Sequence, residues 1–113
     1  MDNAEDILNL ISGGESEKIE FKKSTASLRE AIDTVCAFAN HKGGHLIFGV
    51  KDNGTITGQQ VSDDTLKNIA NAVKLNTDPK LYPGIEKIDM DGKTCVLVSV
   101  SESPLKPHLS HGR

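Results

Sequence analysis

The chain changes its apolar period several times, and each change marks an element. Ile7, Leu8 and Ile11 recur at helical spacing, predicting a short helix over residues 3–12 with Asn3 as N-cap and Gly13-Gly14 as its stop. From Lys18 to Lys23 the period falls to two. Ile19 and Phe21 then point one way and Lys18, Glu20 and Lys22 the other, which predicts a half-buried strand. Ser27-Leu28-Arg29-Glu30 has the spacing of a capping box. Behind it Leu28, Ile32, Val35 and Phe38 or Ala39 keep helical spacing until Gly43-Gly44. Residues 45–50 are apolar on both faces, so they predict a central strand.

Asn53-Gly54 predicts a tight turn into a short strand at Thr55-Ile56-Thr57, ending at Gly58. Ser62-Asp63-Asp64 caps a third helix carrying Leu66, Ile69, Ala70 and Val73, and Pro79 and Pro83 stiffen the connector beyond it. Strands over 85–90 and 94–100 flank Asp91-Gly92, a strong short hairpin signal. The order is α-β-α-β-β-α-β-β: an α+β fold, a mixed sheet of about five strands with three helices, in a single domain over residues 1–113. Ser103-Pro104-Leu105-Lys106-Pro107-His108 leaves the last strand with no closing element after it. The expectation is therefore the N-terminal part of a longer protein.

Composition narrows the function classes. A length of 113 residues supports one modest core. The absence of Trp and an aromatic share of 4% make that core aliphatic and leave little for a base-stacking platform. The net charge, 13 − 16 = −3, excludes a uniformly basic coat, so any polyanion must meet a local patch. The acidic start, Met1-Asp2-Asn3-Ala4-Glu5-Asp6, is unlike a secretory leader, and no apolar run approaches the ~18 residues of a membrane span. A cytoplasmic protein without a membrane partner is expected, with Cys36 and Cys95 as free, buried thiols.

Two sets of residues carry candidate chemistry. Glu15 and Glu20 flank the first strand and Asp52 ends another; if those strands are neighbours, the three acids converge. Three carboxylates suit Mg²⁺ or Mn²⁺ in phosphodiester cleavage, since the metal takes oxygen ligands and acidifies the attacking water. The plainer alternative is that Glu20 pairs with a lysine and Asp52 caps its own turn. Lys22, Lys23, Lys42 and Lys51 fall at element ends, near Gly43 and Gly44, whose turn would let a nucleic-acid strand approach closely. Against this stands an ordinary solvated surface. No phosphate-loop or dinucleotide glycine motif occurs, and His41, His45, His108 and His111 have no zinc-type spacing. The helix stripes serve packing on the sheet; a homo-oligomer stays open.

Taken together, Glu15-x4-Glu20-Phe21-Lys22, Ala37-Phe38-Ala39-Asn40, Gly43-Gly44, Gly49-Val50-x-Asp52-x-Gly54, Gly58 and Lys106-Pro107-His108 resemble the Schlafen-type AlbA-like domain, from about Gly14 to Arg113. The resemblance implies a DNA-binding module at the N-terminus of larger transcriptional regulators or helicase-related proteins. In animal Schlafen proteins such a domain acts as a metal-dependent endoribonuclease on tRNA-like substrates. Its acidic triad falls on positions matched here by Glu15, Glu20 and Asp52. Three readings follow: a nucleic-acid-binding module using Lys22, Lys23, Lys42 and Lys51 on DNA or RNA; a divalent-metal endoribonuclease; and a protein-interaction domain.

Overall fold

The computed structural model describes residues 4–112, so the expected cap at Asn3 lies outside the described residues. Helix α1 (Ala4–Ser12) buries Ile7 and Ile11, one turn apart. Strand β1 (Ile19–Lys22) is followed by α2 (Arg29–Asn40) and β2 (Gly44–Phe48), then α3 (Asp63–Leu75). After it come β3 (Thr77–Asp78), β4 (Gly84–Met90), β5 (Lys93–Val100) and β6 (Leu109–Ser110). The main sheet has four strands in the order β1-β2-β5-β4. β1 and β2 are parallel, and the remaining pairs are antiparallel. β3 and β6 form a separate two-stranded ribbon.

Alternation sorts the sheet's side chains onto two covered faces. Ile19, Phe21, Ile47, Cys95 and Leu97 pack with Ile7 and Ile11 of α1. Leu46, Phe48, Val96 and Val98 pack with Ile32, Val35 and Phe38 of α2 and with Ile69 and Val73 of α3. Burying each Leu-, Ile- or Phe-sized side chain stabilises the fold by roughly 1.5–3 kcal/mol. β2 is the central strand expected of an apolar run, because both its faces are covered. Glu20 pairs with Leu46 and Lys22 with Phe48, so both project from the edge strand on the α2 side. Asp91 (φ 52°) and Gly92 (φ 75°) turn β4 into β5 with both central residues left-handed, the geometry expected of that dipeptide.

The structure corrects several local expectations. Ser27 does not cap α2: the N-cap is Leu28, without a side-chain hydrogen bond. Glu30 donates no help either, because its carboxylate accepts from Lys22 Nζ at 3.1 Å. The capping box belongs instead to α3, between Ser62 and Thr65. Ala70 is exposed, outside the stripe that α3 buries. Thr55–Thr57 is no strand; only Ile56 bridges to Val50, and the Asn53 side chain takes the Thr55 N–H. The main sheet therefore has four strands where about five were expected. Cys36 and Cys95 are free and buried. Among the described residues no helix is long and apolar enough to cross a membrane.

The largest correction concerns the segment after β5, which is a closing element. Ser103 N–H donates to Ala39 O at 2.9 Å. Asn40 then grips the backbone of His108, donating to its O at 2.9 Å and accepting from its N at 2.7 Å. His108 is buried, with Nδ1 2.6 Å from Pro79 O and Nε2 2.6 Å from Ser103 Oγ. A carbonyl only accepts, so Nδ1 carries a proton, and in the neutral ring Nε2 accepts from the Ser103 hydroxyl. Further along, Ser110 Oγ donates to Asp33 Oδ1 at 2.6 Å, and His111 Nε2 lies 3.2 Å from Arg29 O. The strap thus runs back along α2 from its last turn to its first.

Candidate functional site

Parallel pairing decides where the candidate residues fall. β1, α2 and β2 form a strand-helix-strand unit, so the C-terminal ends of β1 and β2 emerge side by side. Lys22 O accepts from Gly49 N at 2.7 Å and from Val50 N at 3.2 Å, tying the start of the Lys51–Gly54 turn to the end of β1.

Three acids meet at this end. Glu15 Oε2 accepts from the Phe21 N–H at 2.9 Å, satisfying a donor on the open side of an edge strand. The Glu20 carboxyl is half-buried and its pKa is raised above 4.5, first by burial, then by the charge of Glu15. Asp52 raises it further, whereas Lys22 opposes the shift. Asp52 is exposed in the turn after β2, and the turn is closed by Asn53 and not by the Asp52 carboxylate. The acids converge enough to feel one another. Among the described residues, however, no three His, Cys, Asp or Glu side chains stand close enough together to hold a metal ion.

The four lysines do not share one patch. Lys22 sits between Glu30 (3.1 Å) and Glu20 (3.8 Å), so its charge is already answered. Lys23 and Lys51 are exposed beside it, and among the described residues neither forms an ion pair. Lys42 lies before β2, at the opposite end of the sheet. At about 3.3 Å per strand residue, that is roughly 15–20 Å away.

Gly43 and Gly44 are buried against the chain's own atoms. A Cβ on Gly43, where φ is +82°, would stand 2.6 Å from Val100 O. One on Gly44 would stand 2.6 Å from the Phe38 ring and 2.8 Å from Lys18 O. These glycines let β2 start under α2, where the missing side chains make room for the protein's own atoms. The Asn40 and Lys106-Pro107-His108 motifs likewise meet each other, in the hydrogen bonds of the strap.

At the N-terminal ends of the same two strands, sequence reasoning named Lys42, Gly43 and Gly44 but passed over Lys18, Glu102 and Lys106 as their neighbours. There Lys18, Lys42 and Lys106 gather around Glu102: Lys106 Nζ bonds its carboxylate, and Lys106, then Lys42 and Lys18, hold its pKa below 4.5. The available signal was the order strand-helix-strand, since a parallel pair brings both N-terminal ends together as surely as both C-terminal ends.

The sequence model of the family described as Schlafen, AlbA_2 matches residues 15–113. Among solved structures, the N-terminal domain of the Putative ATP-dependent DNA Helicase RecG-related Protein from Nitrosomonas europaea superposes with a TM-score of 0.72 at 28% identity. That likeness covers 90% of this chain and 74% of the other. The DIP2311 protein from Corynebacterium diphtheriae superposes with a TM-score of 0.71 at 16% identity, a likeness of fold alone. It covers 94% of this chain and 23% of that one.

Proposed function

The chain belongs to the Schlafen AlbA_2 family, and on that premise we propose that it is a nucleic-acid-binding module of a larger regulatory or helicase-related protein. The observation that carries this reading is the juxtaposition of Lys22, Lys23 and Lys51 by the parallel pairing of β1 and β2. Lys23 and Lys51 hold backbone phosphates, and Lys22 joins them by exchanging its carboxylate partners for a phosphate. Such contacts carry no base information, so binding depends little on sequence and weakens steeply with salt. The name of the Nitrosomonas europaea neighbour, which refers to a DNA helicase, is in keeping with this role. The test is retention of duplex DNA and of tRNA at low salt by the native protein and by the K23E/K51E variant. Equal retention by both proteins removes the patch.

A second reading rests on the acids at the same end, where Glu15, Glu20 and Asp52 leave the lysines no net excess. Carboxylate oxygens are what Mg²⁺ or Mn²⁺ takes as ligands, and a cation there offsets the like-charge repulsion on Glu20. Glu15, Glu20 and Asp52 would hold it after side-chain rotation, and the ion would polarise a phosphodiester and acidify water. On this reading structured RNA is cut, and both EDTA and Glu20→Gln abolish cutting. Undiminished cleavage by the Glu20→Gln protein eliminates it.

A further inference from the structure

The opposite end of the sheet holds a cleft. It lies on the α1 face where β1 and β2 begin and β5 ends, measures about 670 Å³, and is lined by Leu10, Lys18, Ile19, Lys42, His45 and Ser99 among others. A smaller cleft of about 240 Å³, lined by Glu17, Lys18, His41, Lys42 and Gly43, adjoins it through shared residues. Ligand sites commonly fall in this size range and combine apolar walls with a few fixed polar groups.

Three observations give this cleft its chemistry. First, its rim carries both signs, with Lys18 and Lys42 standing beside Glu102 and, in the smaller cleft, Glu17. Lys106 engages the Glu102 carboxylate, while among the described residues Lys18 and Lys42 form no ion pair. Second, its wall is aliphatic, from Leu10 and Ile19, without a ring for serial stacking. Third, His45 lines it, and His45 Nδ1 is a buried nitrogen without a hydrogen-bond partner among the described residues. That nitrogen is closed to solvent, so a ligand seated in the cleft meets the imidazole at its other edge. Ile19, His45 and Ser99 share one row across β1, β2 and β5, so the imidazole and the Ser99 hydroxyl lie side by side.

We propose that this cleft binds one nucleotide unit: Lys18 and Lys42 take the phosphate, Leu10 and Ile19 flank the base, and His45 with Ser99 hydrogen-bonds its polar edge or the sugar. The choice of ligand rests on the nucleic-acid reading above, but the site is a different one. The Gly43 backbone, held against Val100 O, fixes the turn that presents Lys42. The unit has two sources, a free nucleoside monophosphate or a nucleotide within a single strand.

The experiment is an NMR titration of the full chain with AMP, UMP, adenosine, inorganic phosphate and a short 5′-phosphorylated single strand. AMP or UMP should move the His45 ring and the Lys42 and Gly43 amides, with adenosine and phosphate each weaker. Tighter binding of the oligonucleotide identifies the strand as the source; equal or weaker binding identifies the free nucleotide. K18E/K42E, two exposed positions, should weaken AMP about tenfold or more, as expected for lost charged hydrogen bonds. His45→Phe should weaken AMP while sparing inorganic phosphate. Unmoved His45 and Lys42 signals at millimolar AMP and UMP overturn the proposal, as does inorganic phosphate matching AMP. Undiminished AMP binding by K18E/K42E does the same. No polynucleotide enters the mononucleotide arm, so it and the K23E/K51E retention test fail independently.

Discussion

Polar groups at two places in this chain are treated in opposite ways. Along the strap, Asn40, Ser103 and His108 answer one another: each has a partner at hydrogen-bond distance, and the buried imidazole is bonded at both nitrogens. At the C-terminal ends of β1 and β2, Glu15, Glu20 and Asp52 crowd together, and Lys22 is shared between two carboxylates. The first arrangement lowers the energy of the fold by itself. The second keeps a like-charge repulsion on Glu20 that Lys22 offsets only in part. Motifs at both places drew attention in the sequence, yet only the first is closed by its own hydrogen bonds, and the second is where the proposed function is placed.

The contrast breaks first if the strap can be removed without loss. His108→Ala leaves Ser103 and the Pro79 carbonyl without their partner and opens a cavity, and should cost about 3 kcal/mol in chemical denaturation. Asn40→Ala strips two hydrogen bonds from the His108 backbone and should cost about 2 kcal/mol. Gly44→Ala should cost a similar amount, about 2 kcal/mol, because its Cβ meets Phe38 and the Lys18 carbonyl. Unchanged midpoints for the first two would make the strap a loose tail.

At the other place, K23E/K51E should lower the denaturation midpoint only modestly: both side chains are exposed and form no ion pair among the described residues, but the new carboxylates join an acidic end. It should lower polynucleotide affinity about tenfold or more at low salt and flatten the salt dependence. A large stability loss with unaltered binding would invert the assignment. Failure of the native protein to bind or cut any nucleic acid would favour the protein-interaction reading.

The layers of the fold were legible because period and burial agree. Ile19 and Phe21 alternate and are buried, residues 45–50 read as central, and Asp91-Gly92 turns as its φ preference demands. The strap was illegible because hydrogen bonds between residues 40 and 108 leave no periodic trace. Ser27–Glu30 misled because spacing alone cannot tell whether Glu30 serves a cap or Lys22. For the candidate site, sequence order named three acids that influence one another in the fold but could not say that Lys42 sits at the far end from Lys51. That separation follows from strand direction, which the strand-helix-strand order already implied.

The smallest effect sharpens the contrast most. A carboxyl whose pKa in the folded chain is raised above 4.5, as burial and then Glu15 raise that of Glu20, holds its proton more tightly folded than unfolded. It therefore favours folding at low pH, and that contribution is lost as pH rises through the folded pKa. Glu20→Gln cannot ionise, so its stability relative to the native protein should grow with pH across this window and level off above it. The gain at neutral pH should be at most about 1 kcal/mol, because solvent screens a partly exposed group and the Lys22 attraction is lost as well. Measured against pH, a Glu20→Gln protein that is never more stable than the native chain would mean that these acids impose no cost. The cluster would then belong with the strap, as architecture.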